Sequence, residues 1–201
     1  MILITSYYIP DNEQRKKEIE LALKINLKNS LIKKIYLLND QVYNLNFLSE
    51  NEQIKITQIE NCEKKLSFLN SINFANLFNN QIIIISNSDI SFDITLEQLL
   101  QIDLNNTCLA LSRYEFSNYD EEKKIYNDSI LRYFSSCSQD SWIFKSPLNI
   151  KTDYYENFCY GQPGSDGRIV QILQENNYFV YNPCLSIKIF HHHQSNYRLY
   201  K

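Results

Sequence analysis

The chain has 201 residues, 44% of them hydrophobic, and a formal net charge of −3. That length and apolar content support one domain with its own core and fall short of two. No basic run or stripe offers a footprint for nucleic acid, and no apolar run approaches the roughly 18 residues of a membrane span.

Ile2–Tyr8 is a short apolar run and reads as a buried strand. Asp11 or Asn12 can cap the helix that follows to about Lys28. Lys34–Asn39 is a second strand and Gln53–Ile59 a third, alternating one. Lys64–Phe78 carries helical spacing through Leu66, Leu69, Phe74, Leu77 and Phe78. Gln81–Ser86, QIIIIS, is the strongest strand signal, a continuous apolar run suited to a central strand covered on both faces. Thr95–Gln101 reads as helix, Cys108–Arg113 as strand, and the polar Tyr114–Arg132 segment as a mobile loop over the sheet. Asp166–Asn176 is a helix and Tyr178–Tyr181 a short strand, ahead of a tail from Leu185 to Lys201. Strands alternating with helices give an α/β domain with a mostly parallel central sheet, and such sheets bind ligands beyond the carboxyl ends of their strands. Thr5–Tyr8, Asn39, Asn87–Asp89 and Arg113 are therefore the positions to weigh.

The five cysteines, Cys62, Cys108, Cys137, Cys159 and Cys184, are odd in number and lack C-x-x-C spacing, which reads as reduced thiols. The opening MILITSYYIP has neither the charged region nor the cleavage site of a signal peptide. Both features lead us to expect a cytoplasmic protein.

The run IIIISNSDISFD sets Asn87, Ser88 and Asp89 just past the strongest strand. A diphosphate in that crevice needs its charge neutralised, and Mg²⁺ or Mn²⁺ does this with one or two protein carboxylates. A plain turn of Asn, Ser and Asp is the other reading, and Asp93 fits the N-cap of the next helix. The only glycines, Gly161, Gly164 and Gly167, surround Ser165 and Asp166 at a helix start. Such clustering points to backbone at positive φ or in close approach to a ligand. Asp166 is either a first-turn acid favoured by the helix dipole or a general base. Asp140 stands beside the only tryptophan, Trp142, in SQDSW. A carboxylate and an aromatic face can hold a sugar together; a loop acid beside a core Trp is the alternative. Asp140 is also the second candidate base. His191, His192 and His193 are the only histidines. In extended backbone His191 and His193 share a face and can ligate a divalent metal, unless the run is merely solvated or hydrogen-bonded. Arg113 can pair with a carboxylate or hold diphosphate, and Ser195 and Arg198 in the tail can bind phosphate.

The run NSDISFD resembles the D-x-D element of GT-A glycosyltransferases in its N-x-D form. In order along the chain, LSRY (111–114), SQDSWIF (138–144), GQPGSDGR (161–168), YFVYNP (178–183) and HHHQSNYR (191–198) resemble signatures of small bacterial and viral GT-A-like transferases. The resemblance covers most of the chain and implies a single GT-A, Rossmann-like domain over 1–201. It implies inverting transfer of a hexosyl or deoxyhexosyl group from a nucleotide-diphosphate sugar to a hydroxyl of a glycan or glycoconjugate. Asp89 becomes the ligand of Mn²⁺ or Mg²⁺, with His191 or His193 completing the shell and Asp166 as base. Asn87 would contact the metal, the ribose or the sugar, and its replacement of the first Asp implies a weaker, single-carboxylate site. Ser88, Lys65 and Gly164 would face the donor, Lys65 being equally readable as a solvated helix charge. Thr5, Ser6 and Tyr7 would lie near nucleobase and ribose, with Tyr7 or Tyr8 stacking on the base or packed in the core. Other glycosyltransferase modules are the implied protein partners, and a viral chain would act in the host cytoplasm. A catalytically inactive GT-A-like domain that only binds sugar nucleotide or glycan is the alternative. TSYYIPDN lacks the Gly-rich turn of dinucleotide-binding enzymes and the Gly-rich basic loop of nucleotidyltransferases that make sugar nucleotides, and no P-loop motif is present.

Overall fold

The computed structural model describes residues 1–60, 65–132, 138–151, 155 and 157–195. β1 (Ile2–Thr5) leads to α1 (Glu13–Lys28), whose first turn is capped by Asn12 Oδ1 accepting from the Arg15 amide at 2.8 Å. β2 (Lys34–Asn39), α2 (Glu50–Gln53) and β3 (Ile56–Glu60) follow, then α3 (Phe68–Ala75), β4 (Ile82–Ser86) and β5 (Ile90–Phe92). A 3₁₀ helix, Ile94–Gln101, is capped by Asp93 and precedes β6 (Thr107–Leu111). Four short strands come next: β7 (Tyr114–Glu115), β8 (Asn118–Asp120), β9 (Ile125–Asn127) and β10 (Ile130–Leu131). β11 (Ser141–Lys145), α4 (Ser165–Glu175), β12 (Phe179–Tyr181) and β13 (Ile189–His191) complete the chain.

The main sheet has seven strands in the order β12-β6-β11-β4-β1-β2-β3. All its pairings are parallel except those of β11, which runs antiparallel to both β4 and β6. β4 sits in the middle, and Ile83, Ile84 and Ile85 are wholly buried. Alternate side chains of a strand point to opposite faces. Ile84 accordingly packs with Ile19, Leu23 and Leu27 of α1, while Ile83 and Ile85 pack with Phe68 and Ile72 of α3 and Ile169 and Ile172 of α4. Helices thus cover both faces, giving the mostly parallel α/β architecture that the alternation of elements predicts. Among the described residues no helix is long and apolar enough to cross a membrane.

Several boundaries differ from the sequence reading. β1 stops at Thr5 rather than Tyr8, because the chain leaves the sheet there for the cavity described below. The expected strand from Gln53 starts at Ile56, since Ser49 and Glu52 form a capping box and turn Glu50–Gln53 into helix. The helix expected over Lys64–Phe78 covers Phe68–Ala75; Leu77, 76% exposed, lies past its C-cap at Asn76, and Lys64 is outside the described residues. Thr95–Gln101 is 3₁₀ rather than α-helical.

The largest correction concerns Tyr114–Arg132, expected as a mobile loop. β10, β7, β13 and β5 form a second, four-stranded sheet, and β8 and β9 a hairpin packed against it. The Tyr126 ring stacks on Phe190 at 3.6 Å, and Phe116 meets Tyr126 edge-on at 5.0 Å. These apolar anchors are outnumbered by polar neighbours at no helical or strand period, so the segment reads as loop until its partner strand β13 is in place.

β5 is the open edge of this sheet, and α1 closes it. Asn26, 3% exposed, donates from Nδ2 to the Ile90 carbonyl at 2.8 Å and accepts from the Phe92 amide at 3.0 Å. Replacement by Leu (Asn26→Leu) strands both backbone groups, at a cost of about 2–4 kcal/mol. Urea unfolding should show a lower midpoint with an unchanged slope; an unchanged midpoint would discount this clamp.

Candidate functional site

A cavity of about 680 Å³ opens at the carboxyl ends of β1, β2 and β4. Because β11 is antiparallel, its amino end faces the same edge as the carboxyl ends of β4 and β6. That inversion brings Asp140 beside Asn87 and Arg113. The Asn87 amide bonds to the Asp140 carbonyl at 3.1 Å, Asn87 Nδ2 donates to Asp140 Oδ1 at 2.9 Å, and Arg113 Nη1 reaches both Asp140 oxygens at 2.8 Å.

Asp89, at the β4–β5 turn, is 7% exposed. Its Oδ2 accepts a charge-assisted hydrogen bond from Arg15 Nη2 and lies 3.1 Å from His191 Nε2 and 4.0 Å from His193 Nδ1. Burial alone would raise this carboxyl, but His191 and Arg15 outweigh it and hold Asp89 well below the usual carboxylate range. Burial likewise opposes a charge on His191; Asp89 and Glu115 reverse that and push the imidazole up to about 9. Arg15 is itself fixed, with Nη1 donating to Glu18 at 3.1 Å and to the His192 carbonyl at 2.6 Å. His192 turns the other way: Nε2 meets Ser91 Oγ at 2.7 Å, Ser91 Oγ meets the Tyr126 hydroxyl at 2.7 Å, and burial lowers the imidazole to about 3.

One ligand atom each from Asp89, His191 and His193 lies within 4.8 Å of the others. One carboxylate oxygen and two imidazole nitrogens suit a first-row divalent ion such as Mn²⁺ better than Ca²⁺ or Mg²⁺, which favour all-oxygen shells. The residues present therefore fit a transition-metal cation.

Asp166 opens α4 on the cavity wall. Its N-cap, Gly164, has φ 86° and Gly161 has φ 70°, the left-handed region that side chains avoid. Gly167 lies within the helix at ordinary φ, so two of the three glycines answer the backbone expectation. Burial, with Asp140 nearby, raises the Asp166 carboxyl from 3.8 to about 7, against the opposing Ser165 hydroxyl, Gln139 amide and Arg113.

Of the residues singled out from sequence, Ser6, Lys65, Asn87, Ser88, Asp89, Arg113, Asp140, Gly164, Asp166, His191 and His193 all line this one cavity. Three of the described ones do not come to it. Thr5 Oγ1 donates to the Ser86 carbonyl at 2.9 Å and ties β1 to β4. Tyr7 is 2% exposed, stacks on Phe47 and hydrogen-bonds Glu20 at 3.2 Å; Tyr8, its neighbour on the other side of the chain, lines the cavity instead. Ser195 donates from Oγ to Glu18 at 2.9 Å, on the α1 side. Arg198 lies outside the described residues. Trp142 is 2% exposed in the core, so no indole face flanks Asp140 in the cavity. Arg15 and Glu115 belong to the site and escape sequence reasoning. Arg15 looks like a solvated helix cation, and Glu115 sits inside the segment read as loop.

No family model and no curated protein matches this chain. Solved structures do. A segment of S. aureus TarS, residues 1–349, in complex with UDP-GlcNAc superposes with a TM-score of 0.56 at 12% identity over 98% of this chain. The chain spans 59% of that segment. A Bacillus anthracis protein assigned as a glucose-1-phosphate thymidylyltransferase, in complex with sucrose, superposes at 0.51 with 11% identity, covering 94% of this chain and 87% of its own. The chain therefore shares the fold of these two proteins.

Folded Asp166 binds its proton more tightly than the unfolded residue. Its contribution to stability is thus intact below about pH 4 and lost as pH rises through about 7. Asp166→Asn cannot ionise and should raise Tm by about 2–5 °C at pH 8 while changing it little at pH 4. A lower Tm for the variant at the higher pH would show that the ionised carboxylate is stabilised rather than strained.

Proposed function

We propose that this chain is a glycosyltransferase that takes a sugar from a nucleotide-diphosphate donor and passes it, with inversion, to an acceptor hydroxyl. The observation that carries the reading is that one cavity holds both a cation-ligand set and a carboxyl group whose proton affinity is tuned to neutrality. Asp89, His191 and His193 would hold Mn²⁺ or a similar ion, which when bound neutralises negative charge on the departing diphosphate. Arg113 clamps Asp140 in place beside Asn87, so Asp140 orients polar groups of the sugar rather than moving a proton. Among the described residues no such cation is clamped to Asp166. This carboxylate accepts the acceptor's proton as the acceptor oxygen bonds to the anomeric carbon and the bond from that carbon to the diphosphate oxygen breaks. Ser6 and Tyr8 offer contacts for the nucleoside at the β1 end of the cavity. Nucleotidyl transfer, which the same fold supports, is disfavoured by the loop after β1, TSYYIPDN, which has no glycine and no basic residue to cradle a triphosphate.

A binding-only domain is the second reading, favoured by Arg15, which already satisfies Asp89 with a guanidinium. The two separate on turnover: release of nucleoside diphosphate with Mn²⁺, and not with chelator, supports transfer, whereas binding without release supports the other.

Two substitutions test the assignments. Asp89→Ala should abolish cation-dependent donor binding in calorimetry, and donor binding that stays cation-dependent would refute its role. Asp166→Asn should leave donor affinity intact and lower kcat by about 10²–10⁴-fold. With native Asp166, activity should rise with pH through about 7, where the carboxyl loses its proton. Surviving turnover in Asp166→Asn would move the base to another group.

A further inference from the structure

We infer that Glu115 is the positioning residue of the cation site, holding the His191 ring so that Nε2 is presented to the ion. This rests on the cation site proposed above. His191 is 6% exposed and sits between two carboxylates, with Nδ1 3.1 Å from both Glu115 oxygens and Nε2 3.1 Å from Asp89 Oδ2. Nδ1 faces two acceptors and so carries its hydrogen. A cation beside Asp89 and His193 would take the Nε2 lone pair, leaving the proton of the neutral ring on Nδ1, toward Glu115. A ligating histidine whose other nitrogen donates to a carboxylate is a general device for fixing ring orientation and raising ligand strength.

The backbone sets this geometry. β13 and β7 run parallel with Phe190 opposite Tyr114, so the next residues on the two strands, His191 and Glu115, come side by side. Glu115 is fixed in turn by Arg113 Nε at 3.0 Å and Arg132 Nη1 at 3.1 Å. Those two guanidiniums hold its carboxylate in place against His191. Glu115 touches neither the cavity's cation-ligand oxygen nor Asp166, so it acts through His191.

The test measures Mn²⁺ affinity of the full chain without nucleotide, by the loss of the free-ion electron paramagnetic resonance signal. Glu115→Ala should weaken Mn²⁺ by about 10–100-fold. Glu115→Gln, whose amide oxygen still accepts from Nδ1, should keep more affinity than Glu115→Ala and guards against a misfolded alanine variant. Removing Glu115 also takes one carboxylate partner from Arg132 and leaves Arg113 to Asp140, adding net positive charge near the ion, so Glu115→Ala combined with Arg132→Ala restores the charge without restoring the acceptor. The double variant should stay as weak as Glu115→Ala; recovery of native affinity would make Glu115 a matter of charge alone and overturn the inference. In ¹⁵N-histidine spectra with Zn²⁺ bound, native His191 should show a protonated Nδ1, and that proton signal should be lost or exchange-broadened in Glu115→Ala. If Asp89→Ala abolishes Mn²⁺ binding and Glu115→Ala leaves it untouched, the positioning role falls and the cation site stands. If the native chain takes up no Mn²⁺, both fall together.

Discussion

A buried carboxylate has to be paid for in charge, and Asp89 organises this structure around that need. Without partners it would take up a proton or drag water inward. Arg15 and His191 supply the compensation, and each comes from a different part of the chain. One oxygen therefore ties α1, the β4–β5 turn and β13 together. Backbone bonds follow the same triangle: His192 donates to the Asp89 carbonyl at 2.8 Å while Arg15 donates to the carbonyl of His192. Losing one member of such a buried set typically costs about 3–5 kcal/mol, because it leaves the other charges unpaired. The second sheet, which has few residues per strand, depends on this junction to stay docked against α1.

Charge alternates from that junction along the cavity wall. Asp89 meets His191, His191 meets Glu115, Glu115 meets Arg113, and Arg113 meets Asp140. Each acid in this run meets a cationic group, and Asp89 and Glu115 stay ionised despite their burial. Asp166 lies beside the end of this run and, among the described residues, has no cation in hydrogen-bond contact. Its supports are a hydroxyl and one long amide bond, at 3.2 and 3.3 Å. Two carboxylates in one cavity thus have opposite environments: Arg113 clamps Asp140, while burial leaves Asp166 to hold or release a proton near neutrality. Such a division separates orienting from proton-transferring groups in many active sites.

The sequence made some of this legible and hid the rest for identifiable reasons. β2 and α1, with its Asn12 cap, follow from local signals, and so does β4, whose unbroken isoleucines can only be satisfied between two covered faces. Asn87, Asp89 and Asp166 were readable because each follows directly on an element boundary that local chemistry defines. β11 was not. SWIFK is short and apolar, and nothing local says that it inserts antiparallel between β4 and β6. Without that placement the pairing of Asp140 with Arg113 is invisible. Arg15 and Glu115 were hidden for the same reason at longer range. Arg15 bonds a residue 74 positions away and Glu115 one 76 positions away. Tyr7 and Tyr8 could not be told apart by type, and the inside or outside of the turn after β1 decides between them.

The fold alone does not choose between moving a sugar and moving a nucleotide, since a protein assigned as a thymidylyltransferase and one in complex with UDP-GlcNAc both superpose on it. What separates the two chemistries is which groups face the reacting atoms. A nucleotidyl transfer attacks phosphorus and needs positive charge around a triphosphate near β1. A glycosyl transfer attacks carbon and needs a proton acceptor at the acceptor's hydroxyl, well away from the diphosphate. In this chain the cations Arg113 and Arg132 are drawn toward Glu115 and Asp140, on the β6 and β7 side of the cavity. The loop after β1 contributes Ser6, Tyr8 and Ile9, none of them charged. The carboxyl group with raised proton affinity stands on α4, past the far strands of the sheet. For the glycosyl transfer proposed above, that carboxyl is the proton acceptor that displacement at carbon needs.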